Sequence, residues 1–344
     1  MTEKQWDVLL GTINGERYER LPIGFIIDSP WLPGWYGVST LDYYTSDNIW
    51  FKANLKAIET FPDVMFLPGL WSEYGMCTEP SAFGCKSVWS EQGLPYAEKV
   101  IHNFDQAKEL VKPDVKKEGL LPFVLKHLLH NEDTINKQGH FIKFAISRGP
   151  LNIASFLVGT TEFLMGIKTN PDEAHKLLSV ITDFIIDWLT LQLETFPSID
   201  GVFLLDDIVG FLGEGDFKDF VLPYMKKIYQ NFDVKVKFFH NDAEGIVCAP
   251  YLKEIGINLF NFTFKHGLDE MKRLTDNSVV LLGNIPPRDV LANGTKEDIR
   301  SSVKEALNSV EDKTRIIMSC GGGMPQDVST ENIKVFIDAV RENS

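Results

Sequence analysis

The sequence predicts an α/β barrel of eight parallel strands, most of them followed by a helix. Eight short apolar runs are spread along the chain, and stretches with helical periodicity separate most of them. Polar and glycine-rich residues come directly after the apolar runs. Strand–helix alternation predicts a parallel sheet, and eight such units predict closure into a (β/α)8 TIM barrel. We expect strands at residues 22–27, 64–67, 141–146, 202–205, 234–239, 257–262, 279–283 and 315–319.

Residues 1–344 are interpreted as a single domain with two unlike parts. Residues 1–139 hold the first two strands, a helix over 45–60 and a polar N-terminal insertion with helical stretches at 101–111 and 123–131. We expect this insertion to cover one end of the barrel. The regular β/α repeats occupy residues 140–344, and Asn170 and Pro171 suit the start of a long helix. Further helices are predicted at 151–167, 216–230, 245–255, 267–275, 295–309 and 329–342.

Composition argues against several classes of function. Hydrophobic residues make up 44% of the chain, which is enough for a substantial core. The formal charge is 34 − 48 = −14, so nucleic acid is not an expected partner. No stretch approaches the roughly 20 apolar residues of a membrane span, and no export signal is visible at the N-terminus. Four scattered cysteines predict a reduced, cytoplasmic protein without a disulfide framework.

The segment from 28 to 36 places aromatic residues among prolines and glycines, a pattern that predicts a loop. Two interpretations of Trp31, Trp35 and Tyr36 stay open. They line a pocket for an apolar or aromatic substrate, or they pack under the barrel rim.

The ends of two predicted strands carry possible metal ligands. His240 and Asp242 follow the strand at 234–239, and Cys320 follows the last strand and precedes a glycine loop. A catalytic zinc ion typically has three protein ligands of nitrogen, sulfur or oxygen and one open position. The carboxyl ends of barrel strands meet on one face, which would bring the three residues together. Spacing alone is weak evidence, because a His-x-Asp pair is common in loops and a lone cysteine is common in cores.

Four other polar residues are candidates for the same face. Glu79 is a possible fourth metal ligand or proton donor, and otherwise an ordinary loop acid. Asp206 and Asp207 end a strand and are catalytic candidates that would orient the histidine or bind substrate. Their alternative role is to cap a helix or to face solvent. Asn284 is a substrate-binding candidate, with a turn as its alternative role.

Several segments carry a family resemblance: 148–159 (RGPLNIASFLVG), 222–227 (LPYMKK), 283–291 (GNIPPRDVL), and 319–323 (SCGGG) with 329–332 (STEN). Residues 79–84 (EPSAFG) match more loosely. With these motifs the chain resembles the uroporphyrinogen decarboxylase superfamily, and within it the zinc-dependent corrinoid methyltransferases. The resemblance implies an eight-stranded α/β barrel, in agreement with the strand count.

The chain departs from the resemblance in two places. The decarboxylases hold propionate groups with an arginine-rich segment near the N-terminus, and residues 28–35 contain no arginine. This difference argues against porphyrinogen decarboxylation. The thiol-methylating enzymes bind zinc through His-x-Cys and a distant cysteine, whereas Asp242 stands at the first cysteine position here. A carboxylate is a harder ligand than a thiolate, so the metal should be a stronger Lewis acid.

The resemblance therefore implies a demethylating methyltransferase. A methyl group would pass from a small methylated donor, with a methoxylated compound as the expected case, to the cob(I)alamin of a separate corrinoid protein, with Zn²⁺ polarising the leaving atom. Two alternatives stay open. One is methyl transfer from methylcobamide to a thiol or folate-type acceptor, and the other is a decarboxylase-like protein that binds a tetrapyrrole without metal.

Overall fold

A computed structural model describes residues 1–27 and 31–344. Eight parallel strands form one curved sheet, and all eight predicted strands are confirmed. The sheet order is β2-β1-β10-β9-β8-β7-β6-β5. A hairpin that was not predicted, β3–β4, lies outside this sheet. The strands are β1 (Ile23–Ile26), β2 (Val64–Leu67), β3 (Lys86–Val88), β4 (Tyr96–Glu98), β5 (Phe144–Arg148), β6 (Gly201–Leu205), β7 (Val236–Asn241), β8 (Leu259–Phe262), β9 (Val280–Ile285) and β10 (Ile316–Cys320).

The curvature of the sheet encloses an apolar core to which all eight strands contribute. Phe203 and Phe238 stack there with ring centroids 4.0 Å apart, and Phe144 packs against Phe238. Residues from β2 and β10, such as Met65 and Ile317, complete the same cluster. Inward packing of alternate strand residues is the defining feature of a TIM-type barrel, so the predicted fold class is confirmed.

Helices surround the sheet, as the alternating pattern predicts. The 151–167 helix is divided at Gly159 (φ +106°), and the 101–111 stretch is only a 3₁₀ turn, Phe104–Glu109. The α-helices are Glu3–Ile13, Trp31–Tyr36, Thr40–Thr45, Asp47–Thr60, Thr78–Ala82, Leu121–Lys137, Pro150–Val158, Thr160–Thr169, Pro171–Thr195, Glu214–Phe220, Leu222–Gln230, Leu252–Ile255, Leu268–Leu274, Lys296–Asn308 and Thr330–Asn343.

The first helix, Glu3–Ile13, was not predicted although its start has a readable signal. Thr2 and Gln5 form a capping box, in which each side chain accepts a hydrogen bond from the other residue's backbone N–H. Trp6 packs edge-on against Phe144, with centroids 5.5 Å apart. The helix therefore closes the end of the barrel at which the strands begin.

The loop prediction for the aromatic segment is wrong from residue 31 onward, and residues 28–30 lie outside the described part of the chain. Trp31–Tyr36 is a short helix. The Trp31 side chain is 1% exposed, and its indole N–H donates to the carbonyl oxygen of Val328 at 2.9 Å. Trp35 stacks on Trp31 and donates to Thr330 Oγ1. Trp31 thus packs under the rim and links the segment after β1 to the segment that precedes the last helix.

Within residues 1–27 and 31–344, no single helix combines the length and the hydropathy needed to cross a membrane. One pair, Pro150–Val158 with Thr160–Thr169, meets the criteria only when taken together, and it is bent by 105°.

Candidate metal centre and active site

Asp207, His240 and Asp242 meet at the carboxyl ends of two neighbouring strands. β6 and β7 are paired so that Leu205 lies opposite His240, which brings the residues after β6 beside the end of β7. His240 Nε2 lies 3.6 Å from Asp207 Oδ1 and 3.8 Å from Asp242 Oδ2. One ligand atom from each residue lies within 4.8 Å of the other two. Asp207 therefore belongs to the same cluster as His240 and Asp242, the two residues that were predicted to lie together.

A buried asparagine orients the histidine ring. Asn261 lies opposite His240 on β8, and its Oδ1 is 2.7 Å from His240 Nδ1. The Asn261 amide nitrogen donates to the carbonyl oxygens of Leu282 and Cys320, so its carbonyl oxygen must face the histidine. That oxygen can only accept, which puts the ring proton on Nδ1. In the neutral ring, His240 Nε2 therefore presents a lone pair to the two carboxylates.

This arrangement concentrates negative charge. Desolvation raises the pKa of Asp242, and repulsion by Asp207 adds to the rise, while His240 and Arg288 oppose it. Asp207 is held in place by the backbone N–H of Asp242, which donates to Asp207 Oδ1 at 3.2 Å. A lone pair and two carboxylates at this spacing repel one another until a proton or a cation lies between them.

The three donor atoms suit a divalent metal ion. Zinc bonds of 2.0–2.1 Å in a tetrahedron place the ligand atoms about 3.3 Å apart. The two separations that involve His240 Nε2, 3.6 and 3.8 Å, exceed that value by a few tenths of an ångström, and the two carboxylate oxygens lie within 4.8 Å of each other. Small side-chain rotations would bring the three atoms to bonding distance, and a fourth position would remain for a substrate atom. Nitrogen and oxygen donors are acceptable to zinc.

Cys320 lies beside this group but does not belong to the three-residue cluster. Its thiol is fully buried and donates weakly to the carbonyl oxygen of Gly322, 3.5 Å away. Burial raises the pKa of Cys320 to about 12. Gly322 has φ +113°, and a Cβ there would lie 2.6 Å from Asp242 Oδ2, so the loop needs glycine to approach the centre. The role of Cys320 as a metal ligand stays a prediction.

Glu79 lies apart from the cluster, at the edge of β5. Its Oε1 accepts a hydrogen bond from the backbone N–H of Arg148 at 3.0 Å, while Oε2 is buried without a hydrogen-bond partner among the described residues. Burial raises the pKa of Glu79, and Arg148 counteracts that rise. One carboxyl oxygen of Glu79 thus accepts a backbone N–H at the edge of the sheet, and the other oxygen is available to carry a proton. Its predicted roles as ligand or proton donor stay predictions.

Asp206 occupies a different environment from Asp207. It is fully buried, and its two oxygens accept the backbone N–H groups of Leu151 and Asn152 at 2.8 and 3.0 Å. Both donors belong to the first turn of helix Pro150–Val158. This geometry is the helix-capping alternative of the sequence analysis, although Asp206 is distant in sequence from that helix and follows β6. A direct catalytic role for Asp206 stays an untested prediction.

The predicted substrate-binding residues are distributed around the same barrel end. Asn284 lies opposite Ser319 near the end of β9, and its amide donates to the carbonyl oxygen of His266. Trp35 and Tyr36 are half-buried in the short helix after β1. Contact of these residues with a substrate remains a prediction.

Sequence reasoning missed the roles of two buried polar residues, Asn261 beside His240 and Arg148 at the end of β5. Asn261 interrupts the otherwise apolar strand Leu259–Phe262, and a polar residue inside a buried strand is a signal that could have identified it. Arg148 forms a 2.6 Å ion pair with Glu73, with both side chains nearly closed to solvent. The partner of Arg148 could not be inferred from sequence, because 75 residues separate the two.

Comparison with known proteins identifies the family. The model described as Uroporphyrinogen decarboxylase (URO-D) matches residues 5–343. The chain belongs to the uroporphyrinogen decarboxylase family. The resemblance found in the sequence is thereby confirmed, and this family assignment covers both the irregular and the regular part of the chain.

Individual family relatives differ in the activity that they are named for. Uroporphyrinogen decarboxylase of Ruthia magnifica subsp. Calyptogena magnifica is 27% identical over 280 residues, covering 78% of each chain. Methylated-thiol–coenzyme M methyltransferase of Methanosarcina mazei is 22% identical over 275 residues, covering 78% of this chain and 71% of the relative. The family thus includes enzymes of both kinds, and the reaction must be argued from the site.

Solved structures support the fold. A methyltransferase from Methanosarcina mazei superposes with a TM-score of 0.80 at 19% identity, covering 97% of both chains. A B12-independent methionine synthase from Shewanella sp. W3-18-1 has a TM-score of 0.56 at 13% identity, covering 93% of this chain and 96% of the other. At these identities the likeness concerns the barrel architecture alone.

Proposed function

We propose that this protein is a zinc-dependent methyltransferase. It moves a methyl group from a small methylated donor, preferably a methoxylated one, to the corrinoid of a partner protein. The observation that carries the proposal is the orientation of His240. Asn261 directs the Nε2 lone pair at two carboxylates on the barrel face where enzymes of this fold bind substrates.

The donor set supports this reaction. His240, Asp207 and Asp242 would hold the metal ion, which supplies a Lewis acid for the leaving atom of the methyl donor. A nitrogen and two carboxylate oxygens form a harder set than thiolates do. Such a set favours an oxygen or amine leaving atom over sulfur.

Beyond holding the metal ion, the protein contributes mainly through the shape of its active site. In methyl transfer the bond from carbon to the leaving atom breaks with its electron pair, and the methyl carbon bonds to the corrinoid in the same displacement. The reaction needs alignment and a dry site more than covalent help. Glu79, the proton donor expected from the sequence, stays our candidate to give the leaving atom its proton, and burial raises the pKa of its carboxyl group in the direction that this role requires.

A reconstituted assay tests the proposal. The purified protein is loaded with zinc, mixed with a reduced corrinoid protein and offered a panel of methoxylated compounds. We expect at least one compound to convert cob(I)alamin to methylcobalamin, followed by absorbance. If the purified protein contains no zinc and its activity is unchanged by chelators, the metal proposal is refuted and the tetrapyrrole-binding alternative is favoured.

Two variants decide which residue is the third ligand. If Asp207 binds the metal, Asp207→Ala lowers zinc affinity steeply and Cys320→Ala leaves it nearly unchanged. The opposite result would support the ligand set expected from the sequence, in which Cys320 binds the metal ion together with His240 and Asp242. His240→Ala should abolish tight zinc binding in either case, and isothermal titration of zinc into the metal-free variants measures all three.

A second candidate function is methyl transfer to a thiol. It is favoured by the Methanosarcina mazei relative named a methylated-thiol–coenzyme M methyltransferase and by the position of Cys320 beside the centre. If thiols demethylate methylcobalamin in the presence of this protein, while no methoxylated compound methylates cob(I)alamin, this candidate replaces the first.

A further inference from the structure

Asp207 and Asp242 lie on two segments whose backbones pack directly against each other. Asp207 is the first residue of the 3₁₀ turn Asp207–Phe211 that follows β6, and Asp242 begins the loop of residues 242–245 that follows β7. The turn contributes Gly210 to the contact, and the loop contributes Gly245. The two proposed carboxylate ligands are therefore joined by a backbone contact as well as by the hydrogen bond from the Asp242 N–H to Asp207 Oδ1.

The contact leaves no room for a side chain on either glycine. A Cβ atom on Gly245 would lie 2.0 Å from the carbonyl oxygen of Gly210 and 2.8 Å from its carbonyl carbon. A Cβ atom on Gly210 would lie 2.6 Å from the Cβ atom of Ala243. Carbon atoms in contact are about 3.5–4.0 Å apart, so a larger residue at either position would push the turn and the loop apart.

A buried asparagine connects the position of Gly245 to that of Asp242. Asn241 is the last residue of β7 and is 1% exposed. Its Oδ1 accepts a hydrogen bond from the N–H of Ala243 at 3.1 Å, and its amide nitrogen donates to the carbonyl oxygen of Gly245 at 3.3 Å. These two bonds give the loop a fixed shape. A displacement of Gly245 would therefore move Asp242 as well.

The packing opposes a repulsion within the metal centre. One oxygen of Asp207 and one of Asp242 lie within 4.8 Å of each other, and like charges at this distance favour separation of the two segments. The contact between Gly210 and Gly245 keeps the segments together. The carboxylates are thereby held near the spacing of about 3.3 Å that a tetrahedral zinc ion requires.

We infer that Gly210 and Gly245 are positioning residues of the metal centre. Their contact fixes the separation of the turn and the loop, and with it the separation of Asp207 and Asp242, before a metal ion binds. Folding then brings the ligands together, so that this ordering does not have to be driven by metal binding. The inference rests on the proposed zinc-dependent function and adds to it the residues that prepare the ligand spacing.

Gly245→Ala tests the inference directly. The new Cβ atom forces the two backbones about 1 Å or more apart. We expect zinc affinity to fall about 10- to 100-fold, as it does when a group that orients a metal ligand is lost. Competition with a chelating dye measures the affinity, and the visible spectrum of Co²⁺ in place of zinc should report altered coordination.

The wild-type protein separates this inference from the function on which it rests. If the wild type binds no zinc, the proposed function fails and the inference fails with it. If the wild type binds zinc and Gly245→Ala binds it equally tightly with the same Co²⁺ spectrum, the inference alone is overturned.

Two further glycines supply matched controls. A Cβ atom on Gly213 would meet no described atom within 4 Å, so Gly213→Ala should keep the wild-type zinc affinity. Gly201 begins β6 at the opposite end of the barrel, and a Cβ atom there would lie 2.8 Å from the Phe144 ring. Gly201→Ala should lower the melting temperature and keep the zinc affinity. If it weakens zinc binding as much as Gly245→Ala does, general destabilisation explains the effect and the positioning role is excluded.

A compensating pair keeps the test decisive if Gly245→Ala does not fold. Gly210→Ala places its Cβ atom against Ala243, and Ala243→Gly removes the atom that it meets. We expect Gly210→Ala to weaken zinc binding and the double variant to recover most of the lost affinity, with Ala243→Gly alone as the reference. A double variant that binds zinc no better than Gly210→Ala would contradict the proposed contact.

Discussion

Replacing Asn261 tests whether the metal centre depends on the orientation of His240. Asn261→Ala removes the acceptor that lies 2.7 Å from His240 Nδ1. The ring is then free to rotate or to change tautomer, and Nε2 no longer presents a fixed lone pair to Asp207 and Asp242. Zinc affinity should fall although none of the three proposed ligands has been changed.

The size of the effect follows from the contacts. Loss of a hydrogen bond behind a metal-bound histidine typically lowers metal affinity 10- to 100-fold, or about 1.4 to 2.7 kcal/mol. The substitution also removes amide donors from the carbonyl oxygens of Leu282 and Cys320. Each buried group left unpaired costs about 1–3 kcal/mol of stability. We therefore expect weaker zinc binding together with a lower melting temperature.

The assay is competition for zinc against a chromophoric chelator, measured below the melting temperature of each variant. Asn54→Ala is the matched control. Asn54 is buried like Asn261, and its amide donates to Tyr43 and to the backbone of Trp50, away from the metal centre. This control should lose stability and keep full zinc affinity. If Asn261→Ala binds zinc as tightly as the wild type, the tautomer argument is wrong.

Three further predictions concern other residues. Asp242→Cys should keep zinc but slow demethylation, because a thiolate softens the metal, and full activity in the methylcobalamin assay would contradict the Lewis-acid argument. Glu79→Gln retains an acceptor for the Arg148 N–H, so the melting temperature should change little. Demethylation should nevertheless fall by about 100-fold or more if Glu79 donates a proton, and full activity would leave it a structural acceptor. Burial lowers the pKa of His140 from 6.5 to about 4, so its contribution to stability is complete above pH 6.5 and is lost as the pH falls towards 4. Urea unfolding of His140→Gln should show a flatter pH dependence over that range, and a profile parallel to the wild type would exclude His140 as the source.

The barrel could be predicted because its strands are short, buried apolar segments that alternate with helices along the chain. Parallel strands are buried on both faces, so sequences such as Val202–Leu205 read as continuous apolar segments. Helix Glu3–Ile13 was missed although it carries both a capping box and apolar residues at helical spacing, Trp6, Leu9 and Ile13. Helix Trp31–Tyr36 was missed because its proline and glycine suggest a loop, and tertiary packing of Trp31 outweighs that preference.

The candidate centre was predictable only in part. Residues that end neighbouring strands meet in space, which explains why His240 and Asp242 could be placed together. The distinct environments of Asp206 and Asp207 could not be inferred, because one acid caps a helix and its chain neighbour faces the histidine. The role of Asn261 depends on the register of β7 with β8, which the sequence does not reveal.

The sheet is not closed by hydrogen bonds between its two outermost strands, β2 and β5, within the described residues. The backbone N–H and C=O groups at the free edge of β5 form hydrogen bonds with side chains instead. Gln192 both donates to the Ile146 carbonyl oxygen and accepts from its N–H, each at 2.9 Å, and Glu79 accepts the next N–H on that edge. These two side chains take hydrogen-bonding positions that β2 would fill if the two outermost strands were paired. Gln192 belongs to helix Pro171–Thr195, so its two hydrogen bonds also tie that helix to the edge of the sheet, where the Ile146 backbone would otherwise be left without a partner.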